Sequence, residues 1–364
     1  MLTGIKVLDL SRVLAGPLAT MLLGDLGADV IKVERPGSGD DTRGWGPPFD
    51  STGTSAYYLS INRNKKSLAA DLASPSDREL IRSLIAGADV VVDNFKRGML
   101  ARNGFDVPAM LAAHPSLVWC TITGFGARSD RAGYDFVVQA EQGWMAITGE
   151  PDGAPMKVGV ALADVVAGKD ACIAILAALV ARGRKNGRGR HVTVSLAASA
   201  SASLVNVAQN ALVTGEEPRR WGNGHPNLVP YQLFEASDRP LVIAVGNDAQ
   251  WHACARSLGL VTLANDARLS TNAGRIAERG RLVATMTARI AERPAAHWIA
   301  LLDAAGVPCG VVRTVLESLR DVECSAQTGV APSVPGTVRM PPPGLDEHGA
   351  EVRARGWAAF DADG

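Results

Sequence analysis

The chain has 364 residues, 47% of them hydrophobic and 20% charged, and its 37 basic and 37 acidic residues give a formal net charge of zero. This length exceeds what one hydrophobic core normally organises, so we expect two domains in an ordinary globular protein. The balanced charge leaves no field to attract nucleic acid or an anionic membrane, so neither partner is expected.

The first third of the chain alternates strand-like with helix-like patterns. Short apolar runs predict strands at residues 6–10, 29–34, 67–72, 89–93 and 117–123. One intervening helix is predicted at 17–26, and another is capped by Ser74 and opened by Pro75. Strands that alternate with helices are typical of βαβ units, so a parallel sheet is expected.

The rest of the chain is richer in helical patterns. Residues 164–182 are apolar nearly all round and predict a buried helix, which a basic, glycine-containing stretch at 182–190 ends. A strand at 191–196 and a second helix at 197–213 follow. Further on, a single strand at 240–245 precedes a predominantly helical region, which marks a second domain.

Common enzyme motifs are absent. The first strand-to-helix junction reads SRVLAGP and lacks the GxGxxG fingerprint, which disfavours a nicotinamide dehydrogenase. Gly168-Lys169 is not a Walker A loop, because Asp170 stands where that loop has Ser or Thr, and no GxSxG is present. The scattered histidines and cysteines predict neither a metal site nor a disulfide framework. By elimination, carboxylates are the best candidates for reacting groups.

The N-terminus and the apolar runs bear on the compartment. The opening MLTGIKVLDL lacks the basic and apolar regions of a secretory signal. The longest apolar run, at 171–181, has about half the length that a bilayer requires. Together with cysteines that are expected to stay reduced, this favours a cytoplasmic protein.

Asp164 is the carboxylate with the most suggestive position. It lies just ahead of the long apolar helix, in the sequence GVALADVVAG. An aspartate at such a junction is ordinarily an N-cap, because its side chain accepts hydrogen bonds from unpaired backbone N–H groups. A carboxylate can also act as a covalent nucleophile. The residues alone leave both roles open.

The chain resembles family III CoA-transferases in segments spread over nearly its whole length. These are GIKVLDLSRVLAGPLATMLLGDLGADVIKVERPGSGDDTRGWGPP, NRNKKSLAADL, ADVVVDNFKRGMLARNG, TGFG, GYDFVVQA, the Asp164 region, GRGRHVTVSL, AAGVPCGVV and the tail PPPGLDEHGAEVRARG. The resemblance implies that Asp164 is the nucleophile, forming an acyl anhydride and then a CoA thioester. It also implies acyl-CoA and a carboxylic acid as substrates and no tightly bound cofactor. The helix N-terminus is expected to lower the pKa of Asp164 and keep it ionised.

The expected fold class is α/β, with a Rossmann-like parallel-sheet large domain and a smaller α+β domain. We assign the first part of the large domain to residues 1–200, a linker to 201–221 and the small domain to 222–322. The remaining residues, 323–364, are expected to return to the large domain. The family resemblance further implies a homodimer of interlocked rings.

The resemblance also implies positions that bind CoA. They are Val13, Leu14, Ala15, Arg35, Lys65, Asn94, Phe95, Arg102 and Asn103. Phe95 would pack on the adenine, Arg102 would pair with a phosphate, and Lys65 or Lys66 would be a further phosphate partner. A packed turn, a core phenylalanine and solvated surface charges are the alternative interpretations of these residues.

The small domain carries the substrate-specific positions. Formyl-CoA transferases shield their intermediates with a glycine-rich loop, whereas the matching strand end here, AVGND, keeps one glycine. Exchange between formyl-CoA and oxalate is therefore not expected. This end, with Gly246 and Asn247, and HPNLVPYQLF resemble branches that act on short dicarboxylates such as succinate or glutarate. A second carboxylate needs a cation, for which Arg12, Arg43 and His225 are candidates.

Two other functions remain open. The racemase branch of the superfamily uses a His ahead of an Asp to abstract an α-proton, and here Tyr134 occupies that position. A tyrosine with an ordinary pKa near about 10 is a poor base at neutral pH. Tyr134 is instead expected to position the substrate, and a core aromatic with a satisfied hydroxyl is the alternative interpretation. A non-catalytic acyl-CoA-binding protein is the alternative outside enzymes, since a fold alone does not fix activity.

Overall fold

The computed structural model describes residues 1–184 and 187–361. Residues 185 and 186, in the predicted basic connection, and the last three residues of the expected C-terminal return lie outside the described residues. The chain forms two compact units. The first comprises Met1–Trp144, Lys157–Glu216 and Val322–Gly364, and the second comprises Met145–Met156 and Glu217–Asp321. Residues 145–156, which the sequence analysis placed in the large domain, thus group with the second unit.

Strands, α-helices and short 3-10 helices follow one another along the chain. The strands are β1 Lys6–Asp9, β2 Asp29–Glu34, β3 Lys65–Ala69, β4 Val90–Asp93, β5 Val118–Thr123, β6 His191–Ser195, β7 Tyr231–Glu235, β8 Pro240–Ala244, β9 Cys309–Val311, β10 Cys324–Ser325 and β11 Gly329–Val330. The α-helices are α1 Ala15–Asp25, α2 Ala56–Leu59, α3 Pro75–Ala86, α4 Met99–Arg102, α5 Val107–Ala113, α6 Asp135–Glu141, α7 Trp144–Ile147, α8 Leu162–Arg184, α9 Leu196–Ala202, α10 Val205–Thr214, α11 Asp248–Ser257, α12 Val261–Ala264, α13 Asn272–Ala277, α14 Arg279–Ile290, α15 Ala295–Ala304, α16 Val315–Ser318 and α17 Gly349–Arg355. Short 3-10 helices occupy Asp41–Gly44, Ala267–Leu269, Leu319–Asp321 and Gly356–Phe360.

The first unit is built on a parallel sheet with strand order β3-β2-β1-β4-β5-β6. Its central strands are runs of buried Val, Ile and Leu, as strands covered on both faces require. One face packs against α1 and α8, and the other packs against α3 and residues of the C-terminal segment. The expected parallel α/β architecture is confirmed.

The C-terminal segment covers the exposed edge of this sheet at β3. The backbone N–H of His348 donates to the Ser67 carbonyl at 3.1 Å, and the Asp346 carboxylate accepts from the backbone N–H of Ala69 at 2.7 Å. Just before the strand, the backbone N–H of Asn64 donates to the carbonyl of Met340 at 3.0 Å. The end of the chain thus closes the edge of a sheet that its beginning forms.

The second unit contains the antiparallel sheet β7-β8-β9 and helices α11–α15, packed around a core of its own. Strands β7 and β9 were not predicted.

The predicted helix at 197–213, in the first unit, is instead the pair α9 and α10, bent by 71°. Among the described residues, no single helix is long and apolar enough to span a membrane, although this bent pair passes the test of length and composition.

Candidate active site

Asp164 lies in the first turn of α8, which begins at Leu162. The residue is nearly buried, with 8% of its surface exposed. The helix is capped from a different segment, since the Asp135 carboxylate accepts hydrogen bonds from the backbone N–H groups of Ala163 at 2.8 Å and Asp164 at 3.4 Å. The N-cap interpretation of Asp164 is therefore wrong, and its own carboxylate is not committed to capping.

The electrostatic surroundings of Asp164 differ from the expected ones. Burial, and then repulsion from the nearby Asp135 carboxylate, raises the pKa of Asp164 from 3.8 to about 7. The expectation that the helix N-terminus would lower this pKa is wrong. At neutral pH the group is divided between its protonated and ionised forms, and the ionised form is a carboxylate with little solvent to stabilise it.

Asp135 is itself held in place by Gln139, which is fully buried. The Gln139 side chain donates from Nε2 to Asp135 at 2.7 Å and accepts at Oε1 from the backbone N–H of Val158 at 2.9 Å. This amide therefore ties α6 to the segment that leads into α8. The segment GYDFVVQA contributed to the family resemblance, but no local pattern in it indicates that its Asp and Gln cap a distant helix.

Close contact between α1 and α8 brings the first strand-to-helix turn beside Asp164. A Cβ atom added at Gly168, one turn after Asp164, would lie 2.7 Å from the carbonyl oxygen of Ala15. Within α1, a Cβ at Gly16 would lie 2.2 Å from Oγ of Ser11. Neither position can hold a side chain without displacing its neighbours, so glycine is required at both.

A cavity of about 310 Å³ opens beside Asp164. The predicted site residues that line it together with Asp164 are Val13, Leu14, Ala15, Asn94, Phe95 and Tyr134. They come from the C-terminal ends of β1 and β4 and from the segments before α6 and in α8. Ligands bind at this end of the strands in parallel α/β sheets. The structure therefore gathers these residues, which are distant in sequence, around one carboxylate.

The polar groups of the first turn are largely occupied within the protein. The Asn94 side chain accepts from the backbone N–H of Arg12 at 3.0 Å and donates to its carbonyl at 2.6 Å. The backbone N–H of Val13 donates to the Asp40 carboxylate. These groups shape the wall of the cavity rather than offering free hydrogen bonds to a ligand.

A second cavity, of about 240 Å³, lies next to the first. Arg35 and Asn103 line it, and both Arg12 and Phe95 line the two cavities. The guanidinium groups of Arg12 and Arg35 both pair with Asp41, the former at 3.1 Å. The two cavities thus share a boundary at Arg12 and Phe95, and the cations Arg12 and Arg35 lie at the edge of the second cavity.

Two cations of the first cavity were not predicted as ligands. Lys96 and Arg97 line it, are exposed, and have no acidic partner within 4 Å among the described residues. Both lie in NFKRG, directly after Phe95. Their position, as two adjacent cations just after a strand, could have indicated them as ligands. The sequence analysis named Arg102 as the phosphate partner instead.

The predicted phosphate partners have other positions. Lys65 is fully buried, and its ammonium pairs with Asp9 at 3.0 Å and donates to the Pro17 carbonyl at 2.8 Å. A phosphate cannot reach it, so its assignment to CoA binding is wrong. Lys66 pairs with Glu351 at 2.6 Å. Arg102 is exposed and lines neither cavity.

Arg43 is also committed within the fold. Its guanidinium binds the Glu34 carboxylate through two hydrogen bonds of 2.8 and 2.7 Å, donates to the Tyr58 hydroxyl at 2.6 Å and to the Pro343 carbonyl at 3.1 Å, and has a side-chain exposure of 10%. Nε and Nη2 are thus occupied, and the charge is already paired with Glu34. Arg43 also lines neither cavity, which argues against its role as a substrate cation.

The remaining predicted substrate residues lie in the second unit. His225 packs against Tyr231, with ring centroids 5.1 Å apart. Asn247 is the N-cap of α11 and accepts from the backbone N–H of Gln250, whose side chain in turn accepts from the backbone N–H of Gly246 at 2.8 Å. These contacts show the local structure of the strand end, and the substrate roles of the three residues stay predictions.

Two tyrosines of the first unit stand out near the carboxylates. Tyr134 directly precedes α6, lines the first cavity and is 58% exposed, so it is not a core aromatic. Burial, and then the negative charges of Asp164, Asp135 and Asp40, raises the pKa of Tyr57 to about 12. Tyr57 packs edge-to-face on Trp45, with centroids 5.3 Å apart. The sequence analysis did not identify Tyr57.

The family model "CoA-transferase family III" matches residues 2–355. The chain belongs to this family. Succinate–glutarate CoA-transferase of Agrobacterium fabrum is 41% identical to it, over 97% of this chain and 95% of the relative. Succinyl-CoA:glutarate CoA-transferase of Mus musculus is 44% identical, over 90% and 74%. Acetyl-CoA:oxalate CoA-transferase of Acetobacter aceti is 36% identical, over 96% and 94%.

A crystal structure of a CAIB/BAIF family protein from Brucella suis has the same fold, with a TM-score of 0.86, 42% identity and coverage of 97% of this chain and 98% of that one. The family model and the named relatives show that this chain is an enzyme, a CoA-transferase that uses a CoA thioester as substrate. The family predicted from the sequence is confirmed.

Proposed function

We propose that this CoA-transferase moves CoA from a donor such as succinyl-CoA to a short dicarboxylic acid, with Asp164 as the nucleophile. The observation that carries the proposal is a nearly buried carboxylate beside a cavity of about 310 Å³, with its pKa raised to about 7. The names of the relatives at 41% and 44% identity support succinate and glutarate as substrates.

The reaction follows from the chemistry of a carboxylate and a thioester. Ionised Asp164 attacks the acyl carbonyl carbon, which forms a mixed anhydride and expels the CoA thiolate. The thiolate then attacks the Asp164 carbonyl carbon, forming an aspartyl-CoA thioester and releasing the donor acid. The acceptor carboxylate attacks this thioester and expels the thiolate again. Attack of the thiolate on the acceptor acyl group yields the new acyl-CoA and restores Asp164.

The two cavities suggest how CoA is held. The adenine would pack on Phe95 in the second cavity, near Arg35 and Asn103, and the pantetheine would pass Arg12 toward Asp164. Lys96 and Arg97 would contact the phosphates or the far carboxylate of the acid, because both lie at the first cavity and, within the described parts of the chain, neither has a carboxylate partner. Arg97→Ala should raise the KM of acyl-CoA or of the acid at least tenfold, and whichever KM changes identifies the anion.

The remaining assignments are also proposals. Family membership supports a homodimer of interlocked rings, and free cysteines support a cytoplasmic location. Tyr134, Gly246, Asn247 and His225 are proposed to contact the substrate. The single glycine at residues 246–248 supports dicarboxylates over oxalate, whereas the relative from Acetobacter aceti is named for oxalate.

Trapping the intermediate tests the mechanism. The protein is incubated with succinyl-CoA, quenched and digested, and the peptide that contains Asp164 is analysed by mass spectrometry. We expect an acyl or CoA adduct on Asp164 and none in Asp164→Asn. Asp170→Asn is the matched control, because Asp170 lies on the same helix but accepts a hydrogen bond from Ser199 at 2.6 Å. Absence of an adduct, with α-proton exchange into deuterated water on a 2-methylacyl-CoA, would replace the transferase mechanism with racemisation.

A further inference from the structure

Val13 has a backbone conformation that its side chain disfavours. Its φ angle is 71°, in the left-handed region, where a β-branched residue is a genuine outlier. The residue lies between β1 and α1 and lines the cavity beside Asp164. Such strain persists only where the surrounding structure enforces it, and it is concentrated at functional sites.

The Asp40 carboxylate contacts the backbone of Val13 directly. Its two oxygens lie 3.2 and 3.3 Å from the backbone nitrogen of Val13 and accept that N–H. The same carboxylate accepts from the backbone N–H of Thr42 at 3.0 Å and from its hydroxyl at 2.8 Å. The Asp40 side chain has no exposed surface, so its contact with Val13 has no competition from water.

Lys32 contacts both Asp40 and the turn between β1 and α1. Its ammonium, fully buried, lies 2.9 Å from the Asp40 carboxylate and donates to the carbonyl of Ser11 at 2.9 Å. Two residues of the turn, Ser11 and Val13, are thus tied to one buried ion pair.

We propose that Asp40 is a positioning residue for acyl-CoA, acting through the backbone of Val13. By holding Val13 left-handed, it sets the course of the Arg12–Ala15 turn, which borders both cavities. When this hold is lost, Val13 relaxes toward a negative φ, and the wall between the nucleotide and the reacting thioester moves. The proposal rests on the assignment of these cavities to acyl-CoA.

A double-mutant cycle separates this role from simple support of the fold. Glycine adopts a φ of 71° without strain, so a turn with Val13→Gly does not need the Asp40 contact to keep its course. Asp40→Asn replaces one of the two acceptor oxygens with an NH2 group and removes the charge that strengthens the bond to the Val13 N–H. We expect this change to raise the KM of acyl-CoA about tenfold with kcat changed less than threefold. In the Val13→Gly background the same change should raise KM less than threefold. Asp40→Asn with Val13→Ala is the matched control, which keeps a Cβ and should not recover.

The readouts distinguish the two proposals. The affinity of each variant for CoA, measured by calorimetry, tests whether Asp40 positions the Arg12–Ala15 turn. The covalent adduct on the wild-type protein tests whether Asp164 is the nucleophile. Equal losses of CoA affinity in both backgrounds would overturn the role of Asp40 whatever the adduct shows. If Asp40→Asn does not fold, Thr42→Val removes one donor to Asp40 and keeps the ion pair, and the cycle is repeated with an expected KM change of about threefold. No change of KM there would equally reject the proposal.

Discussion

The Asp164 carboxylate predicts how the stability of the chain depends on pH. Its pKa is about 7 in the folded chain, against an ordinary value of 3.8. Between these values the folded state retains a proton that the unfolded chain has released, so stability falls as pH rises through this window and levels off above about 7. The difference between the two pKa values corresponds to about 4 kcal/mol.

Asp164→Asn removes the titration and keeps the size of the side chain. We expect the variant to match the wild type near pH 4 and to exceed its free energy of unfolding by about 4 kcal/mol near pH 8, while losing activity. Urea unfolding at several pH values, followed by tryptophan fluorescence, measures this difference. A difference that stays constant from pH 4 to pH 8 would refute the raised pKa.

A control of opposite sign lies at Asp50. Hydrogen bonds from the Thr52 hydroxyl and then from the backbone N–H of Thr54 lower the pKa of Asp50. A lowered pKa stabilises the folded state above the unfolded value, and this stabilisation is lost as pH falls. Asp50→Asn should therefore be less stable than the wild type at neutral pH and equal to it in acid. A parallel response of the two variants would indicate a general effect of removing negative charge.

The same titration should govern turnover, because only the ionised carboxylate attacks the thioester. We expect kcat/KM to rise about tenfold per pH unit below about pH 7 and then to level off. Asp135→Asn removes the neighbouring negative charge, while its amide oxygen can still accept from the N–H groups of Ala163 and Asp164. The midpoint of the profile should therefore move to lower pH, and an unmoved midpoint would contradict the electrostatic role of Asp135.

Three further variants test the packing of α8 and the buried ion pair. Gly168→Ala, which forces a Cβ against the Ala15 carbonyl, should destabilise the chain by about 1–3 kcal/mol in urea unfolding and lower kcat/KM at least tenfold. Gly183→Ala on the same helix, where an added Cβ would meet no described residue outside its own helix within 4 Å, should instead stabilise the chain by about 0.5–1 kcal/mol. Lys65→Met removes the ion-pair partner of the buried Asp9 carboxylate and should lower stability by about 3–5 kcal/mol. A stable Lys65→Met protein with weakened CoA affinity would restore Lys65 as a ligand.

Local patterns predicted the regular elements well where the apolar signal was continuous. Strand β2 runs from Asp29 to Glu34, as predicted, because its apolar residues Val30, Ile31 and Val33 form a short run that the fold buries or partly buries. Strand β3 was placed at 67–72 but begins at Lys65. Its two lysines suggested a solvated approach to the strand, whereas one of them is neutralised by Asp9 from a distant strand. Local polarity cannot reveal a partner that is 56 residues away.

The sequence identified the carboxylate that we propose as the nucleophile, but it did not reveal the electrostatic surroundings of that carboxylate. The family resemblance identified Asp164, and its neighbours in the first cavity follow from the ends of parallel strands. The cap supplied by Asp135 was not predictable, because it joins segments 29 residues apart through side-chain geometry. For the same reason Arg43, which pairs with Glu34, could not be distinguished in sequence from a free substrate cation.

The closure of the β3 edge by the C-terminal segment has a consequence for how the chain is made. Arg63, just before β3, binds Asp25 through two hydrogen bonds and donates to the carbonyls of Thr328 and Val330. During synthesis, these N-terminal strands leave the ribosome long before the C-terminal residues that contact them have been made. The β3 edge of the nascent first unit stays uncovered until those residues have emerged. Removal of residues 340–348 would therefore leave the β3 edge uncovered, so this edge can be closed only after these residues have been synthesised.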